Sequence, residues 1–154
     1  MKVLALCIVG GLALAACNQA SVPSTSATHT LLPQTQAGYS AQAGSLVRSD
    51  LTDGTTTTVI TATGLLPNTA YAANYYGLGS VTGAGNCGSG GAVIGDSGTT
   101  SQIGNQPFAT DANGALSIQG SETTSGLAGA AYVDVYEASN LATVPLCADL
   151  STSN

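Results

Sequence analysis

Few side chains in this 154-residue chain have the chemistry for acid/base or metal work. Its single histidine, His29, lies in a Ser/Thr-rich stretch near the start, so a Ser/His/Asp mechanism has only this imidazole to use and is not expected. Among the carboxylates, Asp134 is the best placed for general acid/base work, because it lies between Tyr132 and Tyr136 on an alternating segment. Its plainer interpretation is an ordinary exposed strand residue. The remaining reactive groups are four cysteines.

The first two cysteines belong to an amino-terminal segment typical of export. Met1-Lys2 supplies a positive charge, and Val3 to Ala16 is an apolar run too short to span a bilayer comfortably. The end of this run, Leu14-Ala15-Ala16-Cys17, resembles the bacterial lipobox, which implies cleavage before Cys17 and lipid on its sulfur. The alternative is an ordinary secretory signal followed by a chance cysteine. We expect residues 1–16 to be a lipoprotein signal peptide and the protein to be held in the bacterial cell envelope. By the same resemblance, Asn18 in place of Asp favours the outer membrane, on its periplasmic or surface face.

The other two cysteines predict a disulfide. With Cys7 lost in the leader and Cys17 lipidated, Cys87 and Cys147 are the pair that remains. Two cysteines in an exported domain indicate one disulfide, which would stabilise the domain by about 4 kcal/mol in the chain-entropy treatment. The alternative, a two-cysteine metal site, lacks the further Cys or His that zinc needs.

Charge and composition exclude several classes of partner. Once Lys2 leaves with the leader, Arg48 is the one cation against eight carboxylates. Nucleic acid and anionic lipid bind through clustered Lys and Arg, so neither is expected, and a small acidic substrate would be repelled. Many Gly, Ser, Thr and Ala residues suit one β-rich extracytoplasmic domain. With no Trp and one Phe, its core must be built from Val, Leu, Ile, Ala and Tyr.

The order of segments predicts an all-β domain behind a linker. Residues 17–38 are rich in Ser, Thr, Gln, Ala and Pro without periodicity, which predicts a flexible tether carrying a solvated His29. A first edge strand over Thr28–Leu32 is the alternative. Residues 39–154 then form the domain, with candidate strands over Ser45–Asp50, Thr55–Thr63, Tyr71–Tyr76, Gln106–Thr110, Ala115–Gln119 and Ala131–Ala138. Tight turns are predicted at Asp53-Gly54, Gly64–Asn68 and Asp111–Gly114. Short strands without a convincing amphipathic helix predict a Greek-key β-sandwich or barrel.

Four features follow one another in the order seen in the copper-zinc superoxide dismutase family, which this chain resembles over about residues 39–150. They are Gly64-Leu65-Leu66-Pro67, the strand Tyr71–Gly77, the segment Asn86-Cys87-Gly88-Ser89-Gly90-Gly91, and the strand Tyr132–Glu137 followed by Leu146-Cys147. The resemblance implies that family's β-sandwich or barrel. It also implies that Cys87 and Cys147 occupy the positions of the family's disulfide.

The metal positions that the resemblance implies are all changed. With a register ambiguity of one residue, the copper ligands fall at Ala73 or Asn74, Tyr75 or Tyr76, and Val135 or Tyr136, of which Asn74, Tyr76 and Tyr136 are preferred. No histidine follows Cys87 to bind zinc, and Thr143-Val144-Pro145 stands where the family has its steering arginine. A phenol with a reference pKa of about 10 is a poor ligand at neutral pH. We therefore expect neither a cofactor nor a catalytic residue.

The leading functional hypothesis is a lipid-anchored, non-catalytic envelope module that binds another envelope protein. Its expected interaction surface is a cluster near the former copper face, made of Tyr75, Tyr76, Tyr132, Asp134 and Tyr136. Tyr71 or Tyr75 is expected to pack in the core instead. One alternative is a copper-only or atypical superoxide dismutase that protects the envelope and binds copper through Asn, Tyr or Asp. Another is a glycan-binding sandwich. A calcium site at Asp96 and Asp111 would lack EF-hand spacing.

Overall fold

The computed structural model describes residues 21–81, 85–95 and 102–151. The described segments contain nine strands: β1 (Pro23–Pro33), β2 (Ala43–Leu51), β3 (Thr55–Thr63), β4 (Ala70–Gly77), β5 (Val93–Ile94), β6 (Phe108–Ala109), β7 (Leu116–Thr123), β8 (Ala130–Glu137) and β9 (Leu146–Asp149). Two 3₁₀ turns lie at Asn86–Gly88 and Ile103–Asn105. Nowhere in these ranges is there a helix with the length and apolar character to cross a bilayer. The predicted leader and Cys17 lie outside the described residues.

All the strand pairs are antiparallel and belong to one sheet, in the order β5-β4-β8-β9-β1-β2-β3-β7, with β6 paired to β4. Strands β1, β2 and β3 are successive neighbours, and β9 returns by a long connection to lie beside β1. The prediction of an all-β barrel or sandwich is confirmed.

The sheet curls into a half-barrel with the core on its concave face. The hydroxyl of Tyr75 on β4 is hydrogen bonded to the hydroxyl of Thr58 on β3, although four strands separate β4 from β3 in the sheet order. Strand alternation sends every second side chain inward. The inward set includes these aliphatic residues of the core: Leu31, Leu46, Ile60, Ile118, Val133, Val135 and Leu146. Each such burial contributes about 1.5–3 kcal/mol.

The predicted turns form where the chain must reverse. Gly54 has a φ of 82°, and its N–H donates to the Leu51 carbonyl at 3.2 Å. Gly64 has a φ of 73°, and a Cβ there would lie 2.3 Å from the Ala41 carbonyl oxygen, so only glycine fits. Asp111 Oδ1 accepts the N–H groups of Asn113 and Ala115, both at 2.8 Å. This carboxylate therefore serves its turn, while Asp96 lies outside the described residues.

The predicted flexible tether is wrong for residues 23–33, which form β1. This strand pairs with β2 from Pro23 to Leu31 and with β9 from Leu31 to Pro33. His29, expected to be solvated, is 4% exposed. The reason is alternation, because Ala27, His29 and Leu31 point inward while the intervening hydroxyl side chains face water. The sheet therefore begins well before the expected start at Tyr39. The alternative of a first edge strand over Thr28–Leu32 is right that a strand forms there, but this strand is longer and lies between β9 and β2 rather than at an edge.

Candidate functional site

The positions that the resemblance assigns to copper lie together on the convex face of β4 and β8. In the register of these strands Asn74 is opposite Asp134, Tyr76 is opposite Tyr132, and Ala72 is opposite Tyr136. Because Tyr71, Ala73 and Val135 point into the core, the residues that alternate with them along β4 and β8 must point the other way. We call Asn74, Tyr76, Tyr132, Asp134 and Tyr136 the outer cluster.

The members of the outer cluster contact one another closely. The Tyr136 hydroxyl donates a hydrogen bond to Asn74 Oδ1 at 3.1 Å. The rings of Tyr76 and Tyr132 are stacked, with centroids 5.1 Å apart and planes 7° from parallel. Stacked aromatic pairs of this kind contribute about 0.5–1.5 kcal/mol beyond their burial. The cluster is thus a packed patch rather than an open site.

A loop that is fastened at several points contacts this patch. The backbone N–H of Gly91 donates to the Tyr132 hydroxyl at 3.1 Å. A disulfide joins Cys87 of the loop to Cys147 of β9, with the two Cα atoms 5.9 Å apart, so the predicted pairing is confirmed. Beside it, Asn86 Nδ2 donates to Asp149 Oδ1 at 2.8 Å. Cys147 is itself opposite Asp134 in the β8–β9 register, which places the disulfide next to the outer cluster.

The expectation of an exposed tyrosine surface is wrong for Tyr132, Tyr136 and Tyr75, whereas the expectation that Tyr71 or Tyr75 packs in the core is confirmed for both. Tyr132 and Tyr136 are each 3% exposed, and Tyr75 is 1% exposed on the opposite, concave face. Tyr75 points inward because it alternates with Asn74 and Tyr76 along β4. Sequence alternation identified the shared face of Tyr132 and Tyr136 correctly, but it carried no information about the segments that cover that face.

Burial is the main cause of the pKa shifts in the outer cluster. Burial raises the pKa of Asp134 to about 7, and its Oδ1 atom is buried without a hydrogen-bond partner in the described part of the chain. Burial, followed by the neighbouring Asp134 charge, raises the pKa of Tyr76 to about 12. Burial also raises the pKa of Tyr136, against the opposing effect of its hydrogen bonds with Gln102 and Asn74. Asp134 is therefore not an ordinary exposed strand residue, and it is about half ionised at neutral pH.

This donor set does not fit copper. Copper sites in proteins use imidazole and sulfur ligands that accommodate both oxidation states. The outer cluster offers an amide oxygen already bonded to Tyr136, neutral phenols and one carboxylate. In the described segments no three His, Cys, Asp or Glu side chains come together as a metal-binding group.

Sequence reasoning missed two groups of residues. Gln102 forms an isolated bridge with Asn74 and hydrogen bonds to Tyr136, and its loop position gave no signal of this contact. The second group surrounds His29 and Arg48, which line one cavity of about 340 Å³ at an end of the half-barrel. The alternation of Ala27, His29 and Leu31 could have indicated that His29 points inward, although it does not reveal the cavity, which depends on the register of β1 against β2.

Comparison with known proteins adds no identification. No protein-family model matches the chain, and no curated protein matches it.

Proposed function

We propose that the protein is a lipid-anchored, non-catalytic module of the bacterial cell envelope, built on a superoxide dismutase-like scaffold and docking onto another envelope protein. Cys17, after its apolar leader, supports the anchor. The disulfide supports an oxidising, extracytoplasmic location.

The observation that carries a non-catalytic role is the packing of the outer cluster. At the three positions where the resemblance implies copper ligands, Asn74 and Tyr136 bond to each other and Tyr76 stacks on Tyr132. Tyr132 in turn accepts a hydrogen bond from the loop that the disulfide fastens. These side chains therefore act to hold a loop on the sheet, which is a structural task.

The docking surface in this proposal is the outside of that loop. The large apolar side chains of Leu78, Val81 and Val93 are 69%, 55% and 44% exposed. The backbone next to Leu78 lies beside that of Val93, because Gly77 N–H donates to the Ala92 carbonyl and Val93 pairs with Tyr76. Val81 belongs to the same loop, where its N–H donates to the Ser89 carbonyl. Grouped exposed apolar residues mark protein contacts more often than scattered ones do. A protein partner also suits a surface with few cations.

Copper chemistry is the second candidate, and one observation favours it. The Oδ1 atom of Asp134 has no partner in the described residues and lies opposite Asn74. A metal ligated by this carboxylate would have to recruit the remaining ligands from another molecule.

The anchor and the copper question can be tested on one preparation. We expect the exported protein to sediment with membranes and to carry an acylated amino-terminal Cys17 by intact mass, and a Cys17→Ala variant to lose both properties. Copper-loaded protein is expected to hold no stoichiometric copper and to show no superoxide-dependent turnover. Stoichiometric copper with turnover would overturn the non-catalytic assignment, and unacylated wild type would overturn the anchor.

The docking surface can be tested by site-specific photo-crosslinking in the envelope. Leu78 and Leu141 are a matched pair, since both are 69% exposed but only Leu78 belongs to the proposed surface. We expect a crosslinker at position 78 or 81 to capture a discrete envelope protein and the same group at position 141 to capture none. Equal capture at both positions, or none at 78 and 81, would contradict the proposal.

A further inference from the structure

The concave face of the half-barrel changes from apolar to polar along its length. Across β2, β3 and β7, one row of paired residues is Leu46, Ile60 and Ile118. The next inward row is Arg48, Thr58 and Gly120, and the last is Asp50, Thr56 and Glu122. Strand β1 adds His29, Ala27 and Thr25 to these three rows in turn. Inward polar groups cost stability unless they are bonded, so a polar barrel end requires an explanation.

In the described residues, the Arg48 guanidinium forms a hydrogen bond only through its Nε edge. Its Nε donates to Asp50 Oδ1 at 3.1 Å, and its side chain is 21% exposed. No hydrogen bond or ion pair of its terminal Nη atoms is found within residues 21–81, 85–95 and 102–151. A guanidinium fork with a free Nη edge matches the two oxygens of a carboxylate.

Asp50 is not available to a ligand in the same way. Besides Arg48, its Oδ1 accepts from the Thr56 hydroxyl at 2.7 Å, and its Oδ2 accepts from the Thr25 hydroxyl at 3.5 Å. Burial opposes ionisation of Asp50, but the bonds from Thr56 and Arg48 outweigh it and hold its pKa below the ordinary value. Asp50 therefore fixes the orientation of Arg48 as a permanent anion.

Arg48 lines a cavity of about 340 Å³. Its wall combines Arg48, Asp50, His29 and Thr25 with the apolar side chains of Ala27 and Leu150. This volume lies in the range of small-molecule sites, and the mouths of β-barrels are common places for them. His29 is buried here, although it is the only imidazole of the chain.

We propose that this end of the half-barrel binds a small organic monocarboxylate, with its carboxylate on the Nη edge of Arg48 and its apolar part against Leu150. The site lies on the concave face and is separate from the proposed docking loop, so it goes beyond the proposed function.

The surrounding charges limit the ligand to one negative charge. Asp50 and Glu122 share the last row of the concave face. Asp149 is also near, since burial raises its pKa but hydrogen bonds from Ser151 and Asn86, and more weakly the nearby His29, lower it on balance. A phosphate dianion or a dicarboxylate would meet these carboxylates with only Arg48 to offset them. Although the acidic chain as a whole would repel a small acid, a monocarboxylate adds the least negative charge, and it would share the Arg48 guanidinium with Asp50.

Titration calorimetry and ¹⁵N-resolved NMR of the exported full-length protein in mild detergent test this inference. The probes are butyrate and benzoate, their neutral amides butyramide and benzamide, succinate, and inorganic phosphate. We expect saturable one-to-one binding of the monocarboxylates, with shifts of the His29 and Arg48 side-chain signals, and at least tenfold weaker binding of every other probe.

Variants of Arg48 separate the contribution of its two-pronged guanidinium to ligand binding from the contribution of its positive charge. Arg48→Gln is expected to abolish binding, Arg48→Lys to weaken it at least tenfold, and Val47→Ala, on the opposite face of β2, to leave it unchanged. If Arg48→Gln does not fold, the acid-against-amide comparison in the wild type decides. Absence of saturable carboxylate binding, equal binding of amides, or tighter binding of phosphate would each overturn the proposal.

Discussion

Asn74 lies directly opposite Asp134 across β4 and β8, yet its amide oxygen accepts a hydrogen bond from Tyr136. The Oδ1 atom of Asp134 is left buried, with no partner in the described residues. A buried carboxylate without a donor is costly when ionised and much less so when protonated. The free energy of unfolding should therefore depend on whether Asp134 is protonated.

The first prediction concerns Asp134→Asn. The pKa of Asp134 is about 7 in the folded protein against an ordinary 3.8, so the folded state binds more protons between these values. Its contribution to stability is therefore fully present below about pH 4, falls as the pH rises toward 7, and is constant above. We expect the variant to match wild type at pH 4 and to exceed its free energy of unfolding by about 2–4 kcal/mol at pH 8. Urea unfolding at pH 4, 6 and 8 measures this difference, and a difference that does not change with pH would contradict it.

The second prediction concerns the disulfide. Cys87 and Cys147 are 60 residues apart, so their bond removes considerable freedom from the unfolded chain. We expect the double variant Cys87→Ala, Cys147→Ala to lose about 2–4 kcal/mol of stability. Reductant should lower the thermal midpoint of wild type to that of the variant and leave the variant itself unchanged. An unchanged wild-type midpoint after verified reduction would be the contrary result.

The third prediction concerns the hydrogen bond that crosses the concave face. Tyr75 and Thr58 are both buried, and their hydroxyls bond to each other. Tyr75→Phe or Thr58→Val alone leaves one buried hydroxyl without this partner, which should cost about 1–3 kcal/mol. The double variant should cost clearly less than the two single losses together. Strict additivity in chemical denaturation would show that the two hydroxyls are not coupled.

The fourth prediction compares two glycines with similar backbone angles. Gly54 and Gly64 have φ values of 82° and 73°, but a Cβ meets no atom within 4 Å at Gly54 and lies 2.3 Å from the Ala41 carbonyl oxygen at Gly64. Gly54→Ala should therefore cost only the left-handed strain of about 1–2 kcal/mol. Gly64→Ala should cost at least about 2 kcal/mol more, because the backbone must move. Equal losses in thermal unfolding would refute the crowding at Gly64.

Much of the sheet could be predicted from local pattern. The β-branched run Thr55–Thr63 is β3 residue for residue, and Ala131–Ala138 differs from β8 by one residue at each end. Alternation also placed Val133 and Val135 on the face opposite Tyr132, Asp134 and Tyr136, as observed. These segments carry their own periodicity, so no distant contact is needed to recognise them.

The wrong predictions have a common physical cause, because each concerns contacts between segments that are far apart in the sequence. β1 was hidden because its outward residues are Ser and Thr, so that its composition resembles a linker while β2 and β9 hold it in the sheet. Tyr132 was expected to be exposed because nothing local indicates that Gly91 reaches its hydroxyl. The cavity beside Arg48 depends on the register of β1 against β2, which the sequence pattern does not specify.

The early start of β1 has a consequence for where this protein can reach. Pro23 is only six positions beyond Cys17, and six extended residues span about 20 Å. If Cys17 is acylated, the short linker between it and β1 would keep the half-barrel close to the lipid headgroups. Among the rows of the concave face, the one that contains Thr25 and Asp50 is nearest in the chain to Cys17, so the cavity that these residues line would lie on the anchored side of the domain. Ligands would enter through the thin layer of water between domain and membrane, or from the membrane itself.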